Sequence, residues 1–401
     1  MPDPLTMLNG KKVATPEQWI RERRPEILHL YEEQIFGKTP DSAPLAKVVS
    51  VEAEKGVLGG LGDRKQVGIQ FVRNGMAGPV MHLLLYVPAQ RRGPVPVFLG
   101  LNFMGNQAVD KDPGIDLGIL WTRDTFQRTG EPVRDRSRIV SKIASDSSRG
   151  ERTGRWQVEK ILRAGFGLAT IYYGDIEPDT VMGFPYGIRA MALKPGQDEP
   201  AADEWGAIGA WAYGLSKAMD YLETDADVDA KRVAVMGHSR LGKTSLWAGA
   251  SDPRFAIVIS NDSGEGGASI ARRNYGERTA ALNQAFPHWF CGNFKQYSYQ
   301  ESRLPVDSHM LIALAAPRPV YVASAVEDRH ADPRGEFLGA VGAGPVYQLL
   351  GKQGLGTDAM PAVHQPIMND VGYHVRAGVH DVTAYDWDQY IAFAKKHYGM
   401  K

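Results

Sequence analysis

Short apolar runs alternate along the chain with longer stretches in which apolar residues recur at helical spacing. The apolar runs predict strands at residues 67–72, 81–87, 95–101, 168–172, 232–236, 256–260, 319–324 and 373–376. The helical spacing predicts helices at residues 25–36, 156–164, 205–222, 241–250, 335–350 and 385–397. Apolar strands that alternate with helices are typical of a parallel sheet with both faces covered. The pattern therefore predicts an α/β fold with a mostly parallel sheet and helices on both faces.

Two long stretches interrupt this alternation. Residues 107–154 are rich in Asp, Arg and Ser, although residues 117–121 indicate a small ordered piece. Residues 264–317 carry a run of aromatic residues at 286–290. Loops inserted between strands lengthen an α/β chain without requiring a second core. We therefore expect one domain that spans residues 1–401, with both stretches as loop insertions.

The most informative motif is the run from Val233 to Lys243, Val-Ala-Val-Met-Gly-His-Ser-Arg-Leu-Gly-Lys. An apolar strand leads straight into Gly-x-Ser, and a segment compatible with a helix follows. A serine hydroxyl is a poor nucleophile at neutral pH, so it needs a base and a fixed position. A sharp strand-to-helix turn supplies that position and directs backbone N–H groups at a developing oxyanion. The motif predicts Ser239 as the nucleophile of an α/β-hydrolase, with Gly237 as the small residue that the turn requires.

The motif departs from the common pattern in one respect. The glycine usually found two residues after the serine is replaced by Leu241, and Gly242 follows one position later. The alternative interpretation is an ordinary strand-to-helix turn in which Ser239 caps the helix. The strand, turn and helix context favours the nucleophile, because the motif requires that context.

The general base is expected after the serine and after the acid in chain order. Among ten histidines, His380 lies where the base belongs, between the last predicted strand and the closing helix. His374 lies inside that strand, which is more typical of a core histidine. We interpret Asp381, next to His380, as a cap for the closing helix.

Two carboxylates are candidates for the acid. Asp328 follows the predicted strand at 319–324, the usual location for this residue, and Asp262 follows the strand at 256–260. Either could orient the imidazole and stabilise it once charged. Each could also be an ordinary loop or turn carboxylate. We expect Asp328 to be the main partner of His380 and Asp262 to be secondary.

Composition narrows the possible functions. Lys+Arg and Asp+Glu both number 46, and a formal net charge of zero argues against a nucleic-acid partner. One cysteine, Cys291, excludes an intramolecular disulfide and a Cys-rich zinc site. No apolar run reaches membrane-spanning length, so we expect no membrane partner. The N-terminus shows no signal-peptide pattern, which fits either a cytoplasmic protein or a trimmed mature chain.

Several motifs together resemble the glucuronoyl esterases, carbohydrate esterase family 15, and its bacterial members in particular. The elbow run at 237–243 and the run at 261–267, Asn-Asp-Ser-Gly-Glu-Gly-Gly, carry the resemblance. Further matching runs lie at residues 101–106, 172–175, 286–290, 304–307, 322–325 and 378–382. The likeness covers nearly the whole chain from about Pro4, so it is far more specific than the elbow alone.

The resemblance implies a serine esterase that acts through an acyl-enzyme and needs no metal or other cofactor. The implied substrate is the ester between 4-O-methyl-glucuronic acid on xylan and alcohols of lignin. In this family Ser239 would be the nucleophile, His380 the base and Arg240 an aid to the oxyanion. The family has two places for the acid, and this chain has a carboxylate at both.

The resemblance also implies how the sugar is bound. Lys243 and Glu277 match positions that contact the uronate hydroxyls, and His330 stands where many members have a sugar-contacting Trp. Arg240 and Lys243 lie one and four residues after the nucleophile, so both can project from the first turn of a helix toward the site. A solvent-facing helix lysine is the alternative for Lys243.

Other functions remain open at the level of sequence. An acetyl xylan or cinnamoyl esterase would use the same elbow, although an acetyl group offers no hydroxyls for Arg240 and Lys243 to bind. A non-catalytic carbohydrate-binding protein on a hydrolase scaffold would not need the Ser, His and Asp set. We expect a monomer whose partner is a small-molecule or polysaccharide ester of the glucuronoxylan–lignin type. The resemblance implies a secreted or periplasmic protein.

Overall fold

A ten-stranded sheet organises the computed structural model, which describes residues 1–123 and 139–400. The strands are β1 (Leu45–Gly56), β2 (Gly62–Arg73), β3 (Met76–Pro88), β4 (Val95–Asn102), β5 (Ile119–Arg123), β6 (Ile139–Ile143), β7 (Gly167–Tyr172), β8 (Val228–His238), β9 (Ile257–Asn261), β10 (Val320–Ala325), β11 (Ile367–Met368) and β12 (Val371–Arg376). The order across the sheet is β1-β2-β3-β7-β4-β8-β9-β10-β12-β11, and β5 pairs with β6 in a separate hairpin.

The middle of the sheet is parallel. Strands β7, β4, β8, β9, β10 and β12 run in one direction, while β1, β2 and β3 form an antiparallel extension and β11 pairs antiparallel with β12. In such sheets ligands bind beyond the carboxyl ends of the parallel strands. The segments after β8, β9, β10 and β12 carry Ser239, Asp262, Asp328 and His380, so all four candidate residues belong to that edge.

Helices follow the strands and cover the sheet. The α-helices are α1 (Pro16–Gln18), α2 (Arg24–Gln34), α3 (Val57–Gly60), α4 (Thr153–Trp156), α5 (Val158–Arg163), α6 (Ile188–Met191), α7 (Ala207–Leu222), α8 (Arg240–Ser251), α9 (Thr279–Ala285), α10 (Ser308–Ala313), α11 (Pro333–Gly342), α12 (Gly344–Leu349) and α13 (Ala384–Tyr398). A π-helical turn spans Trp19–Arg23, and 3₁₀ turns span Asn106–Ala108, Asp146–Ser148, Tyr173–Asp175, Val181–Tyr186, Ala271–Arg273, Gly292–Tyr297 and Glu301–Arg303.

The core lies on both faces of the parallel strands. Alternate residues of β8 point to opposite faces: Val233 and Val235 pack with α7 and α8, whereas Ala234 and Met236 pack toward α5 and α13. All four side chains are buried. Burial of both faces explains why the predicted strands are apolar throughout rather than alternating, and it confirms the predicted α/β class.

The predicted elements are confirmed, with changed bounds. The strands predicted at 67–72 and 81–87 are parts of the longer β2 and β3. The helix predicted at 156–164 is divided at Gln157, whose φ of 43° breaks the helix between α4 and α5. The helix predicted at 335–350 is divided into α11 and α12.

Strand β1 was absent from the sequence prediction. Its residues are exposed almost throughout, including Leu45, Val48, Val49 and Val51, so no buried face gives the run a strand-like pattern.

The two predicted insertions differ in what the structure describes. Within 107–154, the ordered piece predicted at 117–121 corresponds to β5 and its partner β6, while residues 124–138 lie outside the described residues. Within 264–317, short helices α9 and α10 and three 3₁₀ turns pack onto the main core. In the part of the chain that the structure describes, no helix is both long and apolar enough to cross a membrane.

Candidate active site

The turn between β8 and α8 has the geometry of a nucleophile elbow. Ser239 follows the last residue of β8 directly and has φ 60° and ψ −131°, a combination that a non-glycine residue adopts only under strain. Its N–H donates to the carbonyl of Asn261 at 2.9 Å. A Cβ on Gly237 would overlap the carbonyl of Leu241, so only glycine fits beside the serine. The sequence prediction of a strained turn is therefore confirmed in its geometry.

The shifted glycine of the motif has a packing reason. A Cβ added to Gly242 would lie 3.0 Å from the Cβ of Ser263 and 3.1 Å from the carbonyl oxygen of Asn261. Helix α8 thus approaches the segment after β9 closely at Gly242, which is one turn along the helix from the serine. A larger residue there would push the helix away from the edge that carries Asp262.

His380 and Asp328 form a direct pair. Nδ1 of His380 lies 2.5 Å from Oδ2 of Asp328, and the other carboxylate oxygen accepts from the N–H of Ala331 at 3.2 Å. The Asp328 side chain is 5% exposed, whereas the His380 side chain is 43% exposed. A buried carboxylate thus holds one nitrogen of an imidazole ring that is itself partly exposed.

Asp262 lies close to the same histidine with weaker partners. Its Oδ2 accepts from Arg376 at 3.4 Å and from the N–H of Asp381 at 3.3 Å, while Oδ1 is buried and has no hydrogen-bond partner among the described residues. One oxygen of Asp262, one oxygen of Asp328 and a ring nitrogen of His380 all lie within 4.8 Å of one another. Both candidate acids are therefore beside the candidate base, but the short hydrogen bond goes to Asp328.

His238 links this pair to the elbow. The ring of His238, the residue just before Ser239, lies 4.4 Å from the ring of His380, centroid to centroid, and Nδ1 of His238 lies 2.5 Å from Oδ1 of Asn261. Burial, followed by the nearby His380, holds the pKa of His238 well below its usual value. His238 is therefore a neutral neighbour that adds no charge beside His380, the candidate base.

Arg240 is held among aromatic rings. Its guanidinium carbon lies 4.7 Å from the ring centroid of Trp289, 5.4 Å from Phe286 and 5.6 Å from Phe103. These distances are in the range of cation–π contacts. The guanidinium also forms an ion pair with Asp179, and its Nε is buried with no partner among the described residues. Arg240 projects from the first position of α8 as predicted, but its charge is already paired.

Asp179 is the residue of this network that sequence reasoning missed. Besides Arg240, it accepts from Nε2 of His288 at 2.8 Å, from Nε1 of Trp289 at 2.7 Å and from the hydroxyl of Tyr173 at 3.1 Å. Burial alone would raise the pKa of Asp179, but the hydrogen bond from His288 and the charge of Arg240 outweigh it and leave the pKa well below its usual range. One buried carboxylate therefore organises the cation and the aromatic wall beside it.

Lys243 is buried and paired rather than facing solvent. Its Nζ donates to Oε2 of Glu277 at 2.6 Å and to the carbonyl of Ser263 at 2.5 Å. Burial opposes ionisation of Glu277, but the charge of Lys243 prevails and lowers the pKa of Glu277. The other oxygen of Glu277 lies 3.7 Å from Nε2 of His330, whose side chain is 73% exposed. The structure thus brings together all three residues predicted to contact the sugar.

The other histidine and the predicted cap have different positions. His374 is fully buried between Asp386, at 2.9 Å, and the hydroxyl of Tyr321, at 3.0 Å, so it is a core histidine as expected. The prediction that Asp381 caps the closing helix was wrong. Thr383 caps α13 in a reciprocal box with Asp386, and Asp381 instead pairs with Arg155 at 2.5 Å.

Comparison with known proteins gives consistent matches. Residues 200–351, which include Ser239, Glu277 and Asp328, match the family model described as glucuronyl esterase, fungi. A glucuronoyl esterase from Solibacter usitatus is 52% identical, covers 100% of this chain and 98% of its own, and superposes with a TM-score of 0.93. A promiscuous CE15 esterase from a marine bacterial metagenome is 50% identical over 99% of this chain and 96% of its own, with a TM-score of 0.88.

A fungal relative matches over a shorter part. The 4-O-methyl-glucuronoyl methylesterase of Podospora anserina is 37% identical over 132 residues, which are 30% of this chain and 27% of that protein. The bacterial matches, by contrast, extend over essentially the whole chain at about half identity. The chain belongs to the glucuronoyl esterases of carbohydrate esterase family 15.

Proposed function

We propose that this protein is a serine esterase that hydrolyses esters of 4-O-methyl-glucuronic acid, including those that join glucuronoxylan to lignin alcohols. The observation that carries the proposal is the hydrogen bond between His380 and Asp328 beside the strained Ser239. Membership of the glucuronoyl esterase family and the match to a 4-O-methyl-glucuronoyl methylesterase support the choice of ester.

The proposed reaction begins at Ser239. Because Asp328 holds the Nδ1–H of His380, Nε2 accepts the serine proton while Oγ bonds to the ester carbonyl carbon. The C–O bond to the alcohol then breaks, and the same proton passes from His380 to the departing alkoxide. Water repeats the sequence on the acyl-enzyme, giving free glucuronate and regenerating Ser239. Asp328 orients the ring and stabilises the imidazolium without taking the proton.

Arg240 and the start of α8 support the oxyanion in this proposal. The N–H of Arg240 is the first of helix α8 and lacks an intrahelical partner, so it can donate to the carbonyl oxygen as negative charge develops. The Arg240 side chain is 26% exposed, and it places the positive charge of its guanidinium near the elbow. Asp179 and the three surrounding rings restrict the guanidinium to one position, which limits the reorganisation needed during the reaction.

Lys243 and Glu277 form the proposed sugar-binding pair. A buried ammonium and a buried carboxylate that contact each other present donors and acceptors in a fixed geometry, which suits the vicinal hydroxyls of a uronic acid. An acetyl ester would gain nothing from this pair. His330 would replace the flat indole of many relatives with a smaller, titratable ring at the exposed rim.

A broader esterase is the second candidate. A half-identical relative is described as promiscuous, and in this chain His330 offers less stacking surface than Trp. We also propose that the whole chain acts as one monomeric catalytic domain outside the cytoplasm, since its substrate is a plant cell-wall polymer.

A panel of esters tests the proposal. The specificity constants for methyl and benzyl glucuronate are compared with that for p-nitrophenyl acetate, and a fluorophosphonate probe is used to label the nucleophile. We expect labelling at Ser239 and a clear preference for the glucuronate esters. Equal rates on acetate would favour the broader esterase, and failure of Ser239 to react would favour a non-catalytic carbohydrate-binding protein.

A further inference from the structure

Glu336 is a fully buried carboxylate directly behind the active site. It lies on α11, eight residues after Asp328, and one of its oxygens accepts from the N–H groups of Ser263 at 2.6 Å and Gly264 at 3.1 Å, and from the Ser263 hydroxyl at 3.2 Å. Its other oxygen accepts from the hydroxyl of Ser324 at 2.6 Å. Glu336 therefore ties the turn after β9 to the end of β10, the two strands that deliver Asp262 and Asp328.

The same turn is held from its other side by the sugar-binding lysine. Lys243 donates to the carbonyl oxygen of Ser263 at 2.5 Å, while Glu336 accepts from the N–H of Ser263. The peptide groups on both sides of Ser263 are thus fixed between an anion and a cation. Movement of this turn would shift Asp262 and Lys243 together.

The hydrogen bonds divide unequally between Glu336 and Asp262. Glu336 receives four bonds, two of them from backbone N–H groups, and such donors stabilise the ionised form of a carboxyl group. Asp262 receives two long bonds and has one buried oxygen with no partner among the described residues. A buried carboxyl group with so few donors is more stable when it carries a proton.

The charges around Asp262 act in the same direction. The nearby groups that carry or can carry charge are Glu336 on α11, Asp328 and His380 in the loops after β10 and β12, Arg376 on β12, and Asp386 on α13. Arg376 is the cation closest to Asp262, and it is shared with Asp386, which it contacts at the shorter distance of 2.8 Å. Negative charge on both Glu336 and Asp328 leaves little compensation for a third anion.

We propose that Glu336 is a positioning residue of the active site: it clamps the turn at Ser263 and takes the negative charge that Asp262 would otherwise carry, so that Asp328 alone acts as the ionised partner of His380. This inference rests on the proposed function. It explains how two carboxyl groups can lie beside one histidine without competing for it.

The pKa directions agree with this division. Burial and then the charge of Glu336 raise the pKa of Asp262 well above its usual value. Burial raises the pKa of Glu336 as well, but its hydrogen bonds from Ser324, Gly264 and Ser263 act to lower it. Asp262 has only two long hydrogen bonds to oppose the effect of burial.

The test is the pH profile of Glu336→Gln on methyl glucuronate. Glutamine keeps an acceptor oxygen for the turn but removes the charge, so Asp262 ionises in its place. A carboxylate within 4.8 Å of the histidine favours the imidazolium, and the acid limb of kcat/KM moves to higher pH by about 0.5 unit or more. A residue with a merely structural role would lower the rate without moving the limb. An unchanged limb, or a limb moved to lower pH, overturns the proposal.

Two further variants isolate the charge. Glu265→Gln changes another buried glutamate, three residues after Asp262. Burial raises the pKa of Glu265 to about 8, so this substitution removes little charge at neutral pH. We expect its acid limb to match that of the natural protein. The double variant Asp262→Asn, Glu336→Gln has no carboxyl group at either position 262 or position 336, so it should lose the upward shift. If the double variant retains the shift, Asp262 is not its source and the proposal fails.

A spectroscopic measurement keeps the proposal testable if Glu336→Gln does not fold. Infrared spectra of the Glu265→Gln variant, which lacks the other buried carboxyl group with a strongly raised pKa, should show the carbonyl band of a protonated carboxyl group at about pH 8. That band should disappear when Asp262→Asn is added to Glu265→Gln and persist when Asp381→Asn is added instead. Its absence from the Glu265→Gln variant overturns the proposal. Failure of the proposed function would be distinct, because the natural protein would then not cleave methyl glucuronate.

Discussion

Asp262 and Asp328 follow neighbouring parallel strands, yet the two carboxyl groups lie in contrasting surroundings. One oxygen of Asp328 lies 2.5 Å from Nδ1 of His380, and the other accepts from the backbone N–H of Ala331. Asp262 has contacts of 3.3 and 3.4 Å and one oxygen without a partner among the described residues. The comparison teaches that position at a strand end does not by itself make a carboxylate a partner for histidine.

Loop length accounts for part of the difference. Asp262 comes immediately after the last residue of β9, and its φ of 44° turns the chain away at once. Asp328 comes three residues after the end of β10, in a loop whose N–H at Asp328 donates to the carbonyl of Ala325 at 3.0 Å. The longer loop carries the Asp328 carboxylate into direct contact with His380, whereas an oxygen of Asp262 comes only within 4.8 Å of a ring nitrogen.

The largest effect is expected for Ser239→Ala. The residual kcat of this variant is the reference against which the variants of Asp328 and Asp262 are compared. Loss of the nucleophile should lower kcat on methyl glucuronate by about 10³-fold or more, because only the oxyanion hole and binding remain. Thermal unfolding should show an intact fold, and Ser251→Ala, at the end of the same helix, serves as the control. Retention of more than a few per cent of activity would show that Ser239 is not the nucleophile.

The next largest effects are expected at the two carboxyl groups, Asp328 and Asp262. Asp328→Asn should lower kcat by at least about 100-fold, since the ring loses the anion that orients it and stabilises its charged form. Asp262→Asn should cost less. The matched control is Asp381→Asn, next to His380 in the chain but paired with Arg155. Steady-state kinetics on one glucuronate ester measures all three variants.

The double variant decides whether the two carboxyl groups share the role. If they do, each single change will be mild and Asp262→Asn with Asp328→Asn will be severe beyond the sum of the two. A larger loss at Asp262 than at Asp328 would reverse the assignment that the hydrogen bonds favour.

The residues that sequence could predict are those fixed by local pattern. Ser239, Gly237 and the strand before them form a continuous motif, and His380 has a defined place after the last strand. Asp179 could not be found in this way, because its partners His288 and Trp289 lie more than a hundred residues later and meet it only through tertiary packing. The role of Glu336 could not be predicted from local pattern either, because its partners come from two other segments.

The cap of α13 and the environment of Lys243 show what the local sequence pattern does not determine. From sequence we interpret Asp381 as the cap of α13, whereas the structure has a reciprocal cap between Thr383 and Asp386, three residues later. Lys243 at helical spacing could have faced solvent, and its burial follows from Glu277, which belongs to a distant insertion. The spacing in the sequence predicts the direction of the Lys243 side chain, whereas its burial depends on the contact with Glu277.

A smaller effect is expected from the proposed sugar-binding pair, Lys243 and Glu277. Lys243→Ala should lower kcat/KM for methyl glucuronate by about tenfold or more, because it removes charged hydrogen bonds to the substrate and leaves Glu277 buried without its cation. Activity on p-nitrophenyl acetate should change little, so the preference for glucuronate narrows. Lys231→Ala, an exposed lysine at the other end of β8, is the control. Equal losses on both esters would indicate a general disturbance rather than a lost sugar contact.

The smallest effect is expected for chelators. It tests whether Asp262 and Asp328 differ because of their own contacts or because a metal ion is absent. The oxygen atoms of Asp262 and Asp328 and a nitrogen of His380 lie within 4.8 Å of one another, so an ion could in principle draw the two carboxylates into equivalent roles. The 2.5 Å contact between His380 and Asp328 accounts for the cluster without an ion, and the long contacts of Asp262 make the two acids unequal. We therefore expect EDTA to leave kcat and KM on methyl glucuronate unchanged, with added zinc or calcium giving no increase. Inhibition by EDTA that either ion reverses would mean that the carboxylates act together on a metal, and the contrast between them would then describe the metal-free site alone.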